Sequence, residues 1–235
     1  MGMLISEARW YGRWLRKFPA ADLYPQLNLG SQTLHFRTHV QPWIERYLFA
    51  PARQRGGAVV HTDLQPAPGV DLVGDLTDPA FHAVLKARQF RSVVCSNLLE
   101  HVTQPKLIAR VATEVVVPGG LLFVSVPYLF PYHADPIDTM FRPSPEELAN
   151  LFPGTRIVEA RIVHGWLIRY GLERLRQGWP GKANMPQATP VGLPEGAGSR
   201  VRSPGDLLQV VTTWVPWLWR PFAISCLVLR REGCI

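Results

Sequence analysis

Apolar side chains recur at helical spacing in the first stretch of the chain. Leu4, Ala8, Tyr11, Leu15 and Phe18 form one stripe with Trp14 beside them, and Arg9, Arg13, Arg16 and Lys17 gather on another face. This period predicts an amphipathic helix over residues 4–18. Two roles stay open for it. It can cap the domain with its apolar stripe, or lie on an anionic membrane through its basic face. After Pro25 strand and helix signals alternate. Short strands are expected at residues 26–29, ending at Gly30, and at 58–63, after the Gly56-Gly57 turn. Another follows at 70–73, and longer apolar runs at 90–96 and 121–126 read as buried strands. Helices are expected at 36–50, where Pro42 must sit in the first turn or kink the helix, and at 104–116. A further helix runs from Asp78-Pro79 to residue 87, with Asp78 as N-cap and Pro79 as first helical residue. Ser144-Pro145 opens one more, and Glu147 completes a capping box. Pro118-Gly119-Gly120 reads as a sharp stop. The alternation at 156–163 and the run 222–230 read as the last two strands.

Strands that alternate with helices and are apolar on both faces predict an α/β domain with a mostly parallel sheet. Ligands of such sheets lie beyond the carboxyl ends of the strands. Chemistry is therefore expected at Gly30, Asp63, Asp75, Ser96-Asn97 and from Pro127 onward. Residues 164–220 break the rhythm. A helical signal runs to residue 176, and a Gly/Pro-rich span then covers 179–205, in the manner of a lid or a long loop. Trp166, Trp179, Trp214, Trp217 and Trp219 fall in this insertion. They suit an apolar or sugar-stacking wall, a contact with a membrane interface at 214–219, or the packing of the insertion itself. Residues 207–229 have the length of a membrane span. Pro216, Arg220 and Pro221 near the middle argue against one, because an arginine there costs about 2.5–3.5 kcal/mol.

Composition narrows the class. With 235 residues, 47% hydrophobic and 18% charged, the chain is one globular domain or a tight pair, not a disordered segment. Cys95, Cys226 and Cys234 are odd in number and show no CxxC spacing, which excludes a disulfide framework and a zinc knuckle. No secretory signal opens the sequence, so a cytoplasmic protein is expected. Net charge is 25 − 18 = +7. The excess is mostly dispersed arginine, without an RNA-binding module or an aromatic-basic stripe, so nucleic acid is not an expected partner.

The order of motifs resembles one family. Gly30 follows a first strand, Asp63 a second, and Gly74-Asp75-Leu76 a third. Ser96-Asn97-Leu98-Leu99-Glu100-His101 follows a fourth, and Val117-Pro118-Gly119-Gly120 precedes a fifth. Together they resemble the class I S-adenosylmethionine-dependent methyltransferases. The run from Pro127 through His133, Asp138 and Arg142 is similar to the post-strand loop of their type 11 branch. The resemblance covers residues 24–163. It implies a Rossmann-like fold, a seven-stranded mostly parallel sheet whose last strand is antiparallel. It also implies an S-adenosylmethionine site built by Gly30, Ser31, Asp63, Asp75, Leu76, Ser96, Asn97 and His101. A carboxylate at Asp63 accepts from both ribose hydroxyls in charge-assisted bonds. Asp75 and the backbone at Leu76 read the adenine, and carbonyls near Ser96 and Asn97 hold the methionine ammonium. His101 lies against the cofactor or caps the next helix. For each Asp the plain alternative is a turn former or N-cap.

The family's first loop is rich in glycine. Here only Gly30 remains; Asn28 stands where an acid is usual, and Gln32 and Leu34 where glycine is usual. Methyl transfer is an in-line displacement that needs mainly proximity, and a hydroxyl nucleophile also benefits from a general base. His133 is the candidate base, Asp138 orients it, and Arg142 pairs with Asp138 or binds an anionic substrate group. No metal constellation is legible, since His61, His82 and His164 are scattered. The expected activity is methyl transfer to a small-molecule, saccharide or lipid-linked acceptor. The alternative, resting on the altered loop, is a methyltransferase-like binding or scaffold protein without activity.

Overall fold

The computed structural model describes residues 2–133, 137–166, 172, 217 and 219–233. Seven strands form one sheet in the order β3-β2-β1-β4-β5-β7-β6. They are β1 (Gln26–Leu29), β2 (Val59–Asp63), β3 (Leu72–Val73), β4 (Phe90–Ser96), β5 (Val116–Leu129), β6 (Thr155–Gly165) and β7 (Phe222–Arg231). The first five pair in parallel. β7 runs antiparallel to both β5 and β6. The expected mostly parallel sheet with an antiparallel last strand is present.

The pleat of the central strands sends alternate side chains to opposite faces. One face carries Leu27, Leu29, Val93, Cys95, Leu122, Val124 and Val126, which pack under α5 (Pro79–Ala87), α6 (Pro105–Glu114) and α7 (Pro145–Ala149). The opposite face is mixed. It receives α1 (Ile5–Lys17), α2 (Ala20–Leu23) and the helical run of residues 36–54. Tyr11 and Phe18 meet Phe123 edge-on, and Phe49 meets His61. Polar side chains also bond along this face: Gln26 donates to Ser92 Oγ, which donates to the Leu23 carbonyl. Cys95 and Cys226 are buried free thiols.

Three expected elements differ. The helix expected at 36–50 is a string of short turns: π-helical Phe36–Val40 and Glu45–Phe49, with α3 (Pro42–Ile44) between them and α4 (Ala50–Gln54) after. Pro42 lacks the N–H an earlier turn would need, and Gln41 before it takes non-helical dihedrals of φ −132° and ψ 67°. The helix expected to reach residue 116 stops at Glu114, because Val116 already pairs with Phe90 in the sheet. Pro118-Gly119-Gly120 is not a stop but a bulge inside β5. Between the pairs Phe90↔Val116 and Ser92↔Leu121 the longer strand holds more residues than its partner. Gly119 takes φ +81°, and a Cβ on Gly120 would lie 2.5 Å from the Arg91 carbonyl. Both helix caps fall where the sequence puts them. Asp78 accepts from the Ala80 N–H, and Ser144 and Glu147 form a reciprocal box.

The chain divides into two units, Met1–Gly165 with Phe222–Ile235, and Trp166–Pro221. Trp179, Trp214, Cys234 and the Gly/Pro-rich span 179–205 lie outside the described residues. Among the described residues no helix is long and apolar enough to cross a membrane.

Candidate functional site

The carboxyl ends of β1, β2 and β4 lie side by side, and three groups of side chains gather there. The first is the loop after β1. Gly30 takes φ +63°, and a Cβ on it would meet Leu98 at 2.9 Å. Gln32 takes φ +56°, while Leu34 does not enter the positive region. Thus the loop keeps a left-handed residue without a second glycine. Two side chains hold that shape. Asp63 Oδ2 at the end of β2 accepts from the Gln32 N–H at 2.9 Å. The buried Arg37 guanidinium donates to the Ser31, Gln32 and Gly69 carbonyls at 2.9, 2.6 and 2.8 Å. Burial lowers the Arg37 pKa, yet arginine stays charged in proteins. Ser31 is buried and donates its N–H to the Thr62 carbonyl. Asn28 faces His61 across the β1–β2 pair, with its amide 3.1 Å from Nδ1. Desolvation, with the Arg37 charge nearby, pulls His61 down to about 4.

The second group lies between the ends of β4 and β5. Glu7 of α1 is wholly buried. Its Oε1 accepts from Ser125 Oγ at 2.6 Å and from Ser96 Oγ and Asn97 Nδ2 at 3.1 Å; its Oε2 accepts from the Leu4 N–H at 3.0 Å. Burial raises the Glu7 pKa, against the opposing pull of these four donors. Asn97 takes φ +48°, and its buried Oδ1 has no partner. Asp75, in contrast, closes its own turn by accepting from the Thr77 N–H and hydroxyl. Leu76 packs its side chain on the main core.

The third group joins the turn after β4 to the loop after β5. His101 Nδ1 faces the Ile137 carbonyl, and its Nε2 lies 3.6 Å from Glu100 Oε1. The His101 and His133 rings meet edge-on at 5.1 Å. His133 Nδ1 stands 3.1 Å from both the Pro131 carbonyl and Asp138 Oδ2. Neither of those groups can donate, so Nδ1 carries the hydrogen. Arg142 clasps Asp138 with two bonds of 3.0 and 2.6 Å. Burial alone would raise the Asp138 pKa, but the hydrogen bonds from Arg142, the His133 N–H and the Met140 N–H bring it down to about 2. Burial also lowers the His133 pKa, so its ring is neutral near pH 7. Glu100 is wholly buried; desolvation pushes it up to about 8.

Solved structures share the fold that brings these groups to one edge of the sheet. A coclaurine N-methyltransferase bound to S-adenosylhomocysteine aligns over 97% of this chain and 70% of its own, at 15% identity and a TM-score of 0.53. A Bacillus halodurans protein described as a methyltransferase aligns over 95% and 98%, at 11% identity and a TM-score of 0.53. The chain has the class I S-adenosylmethionine-dependent methyltransferase fold. The [4+2]-cyclase SpnF also shares it, over 99% and 85% of the two chains at 13% identity and a TM-score of 0.51. No protein-family profile matches the chain, and no curated protein matches it in sequence.

Within this methyltransferase fold the structure gathers most of the residues singled out from the sequence, and adds others. Gly30, Ser31 and Asp63 meet through Gln32. Ser96 and Asn97 meet under Glu7, and His101, His133, Asp138 and Arg142 form one chain of contacts. The Asp75 carboxylate is engaged instead by Thr77 in its own turn. Glu7, Arg37 and Ser125 had no place among the residues singled out from the sequence, and Glu100 entered only as part of the motif after β4. Glu7 left a signal, as an acid three residues after Leu4 and four before Tyr11, on the apolar stripe. Arg37 left none.

Proposed function

We propose that the protein transfers a methyl group from S-adenosylmethionine to a small-molecule, saccharide or lipid-linked acceptor. One observation carries this reading: Gly30, Asp63 and Asn97 end the adjacent strands β1, β2 and β4 at a single edge, with acceptors to spare. Asp63 Oδ1 has only a 3.5 Å contact from the Gln65 N–H, and Asn97 Oδ1 is buried without a partner. These groups fit a ribose diol and an ammonium. The likeness to a coclaurine N-methyltransferase bound to S-adenosylhomocysteine supports the same reading.

In this reading the cofactor supplies an electrophilic methyl group on a sulfonium. Asp63 accepts from the ribose hydroxyls, Asp75 and the Leu76 backbone lie toward the adenine, and Ser96 and Asn97 receive the ammonium end. His133 takes the proton of an acceptor hydroxyl at Nε2. Asp138 fixes the tautomer from the Nδ1 side, and Arg142 pins Asp138.

Titration calorimetry with S-adenosylmethionine and S-adenosylhomocysteine is the test. Micromolar binding, about −8 kcal/mol, is expected. Asp63→Ala should weaken it by about 1–3 kcal/mol, and His133→Ala should leave it unchanged. Absence of binding at millimolar ligand would overturn the reading and leave the scaffold alternative.

A further inference from the structure

Glu100, His101 and His133 each bring one ligand atom to a common point, and these atoms all lie within 4.8 Å of one another. We propose that this trio is a binding site for a divalent transition metal of the zinc class, with one coordination position left open. The inference goes beyond the methyl-transfer reading and does not rest on it.

Four observations lead there. First, the donor set is two imidazoles and one carboxylate. That set suits zinc, cobalt or iron, and not magnesium or calcium, which prefer oxygen alone. Second, both carboxylate oxygens of Glu100 and Nε2 of His133 are buried with no hydrogen-bond partner among the described residues. A buried acid whose oxygens make no hydrogen bond is costly in either protonation state, and a cation at the focus of the trio would satisfy all three atoms. Third, the spacing is close to what a metal needs. Zinc bonds of 2.0–2.2 Å put tetrahedral ligand atoms about 3.4 Å apart. Glu100 Oε1 and His101 Nε2 already stand at 3.6 Å, so the set closes with shifts of about an ångström or less.

The fourth observation is the outer support. Metal-binding imidazoles ordinarily donate their second N–H to a carbonyl or a carboxylate, which fixes the tautomer and aims the other nitrogen at the ion. Both imidazoles of the trio have such support here, and the Glu100 main chain is tied to the same loop. The Ile137 carbonyl takes the His101 Nδ1–H. The Pro131 carbonyl takes the His133 Nδ1–H at 3.1 Å, and Asp138 Oδ2, which accepts the His133 backbone N–H, stands at the same distance from Nδ1. Thr139 donates its N–H and its hydroxyl to the Glu100 carbonyl at 2.9 and 3.0 Å. Arg142 then holds Asp138 in place. With three protein ligands, the fourth position of a tetrahedral ion is open to water or to an oxygen of the acceptor. The His133 Nε2 is then shared between two roles, proton acceptor without metal and ligand with it, which separates the two readings experimentally.

The test uses the whole chain, freed of metal by chelation and titrated with Co²⁺ while its visible absorption is followed. One equivalent per chain is expected, with the intense bands of a tetrahedral site. Glu100→Gln keeps the side-chain volume and, like His133→Asn, should weaken binding at least tenfold. Asp138→Asn, which touches no metal, should weaken it by about 10–100-fold. Circular dichroism verifies that each variant is folded. The stacked pair His35 and His39, one helical turn apart with ring centroids at 4.9 Å, is the competing adventitious site. A His35→Ala, His39→Ala double variant should bind Co²⁺ like the parent. No binding by the folded parent overturns the proposal. So does binding that survives Glu100→Gln and disappears in the double variant. Asp63→Ala should leave Co²⁺ binding intact, so failure of the cofactor reading and failure of the metal reading are told apart.

Discussion

At Gln32 a side chain stands where the backbone favours glycine. The left-handed φ of +56° costs an L-residue about 1 kcal/mol, and the bonds from Asp63 and Arg37 hold it there. Gln32→Gly should therefore raise stability by about 0.5–1 kcal/mol, read as a higher urea midpoint. Gly30→Ala should lower it by about 1–2 kcal/mol, because the new Cβ meets strained dihedrals and Leu98 at once. From the sequence, the missing glycines suggested a dismantled loop. The structure separates composition from conformation. Gly30 and Gln32 both keep a left-handed φ, and support comes from a guanidinium at Arg37, whose position follows no periodicity. Asp75 teaches the opposite lesson: its residue type predicts a turn former, and its carboxylate does close its own turn.

Between elements, one carboxylate adds a polar clasp to the apolar docking of α1. Glu7 gathers donors from the N-cap Leu4, the end of β4 and β5. Glu7→Ala leaves Ser96, Ser125 and Asn97 facing a void and should cost about 2–3 kcal/mol in denaturant unfolding; Glu7→Gln should cost less. The β1–β2 pair carries a proton-sensitive contact. Neutral His61 accepts from Asn28 at Nδ1, and a proton there would abolish that bond. Its folded pKa of about 4 lies below the ordinary 6.5, so below pH 6.5 the unfolded chain binds the extra proton. Stability from this residue is full above pH 6.5 and declines as pH falls toward 4, by about 3 kcal/mol in total. From pH 6.5 to 4 the unfolding free energy of the parent should fall by this amount relative to that of His61→Leu. Element types and caps were legible because they are set by neighbouring residues, as at Asp78 and Ser144. The bulge at Pro118-Gly119-Gly120 was not. The same residues that end a helix also buckle a strand, and only the register with β4 distinguishes the two.

Across the whole molecule, alternating strands and helices were enough to give the parallel sheet. They could not give the meeting of His133 with Glu100, which depends on how residues 137–139 cross the end of β4. The same scale explains how the second unit is attached. Gly165 and Phe222 are direct partners in the β6–β7 ladder, so the chain leaves and re-enters the sheet at one place. Replacing residues 166–221 with an Asn-Gly turn, which suits a two-residue hairpin, should yield a chain that unfolds cooperatively with the parent's near-complete sheet signal in circular dichroism. The position of β7 also bears on synthesis. This strand lies between β5 and β6 but follows both in sequence. A ribosome releases β5 and β6 first, with a strand-wide slot between them and two bare edges. Until residues 222–231 leave the exit tunnel, any extended apolar segment can occupy that slot. Nascent chains stalled before residue 222 should therefore be held by chaperones or aggregate, while chains released past residue 231 should be soluble.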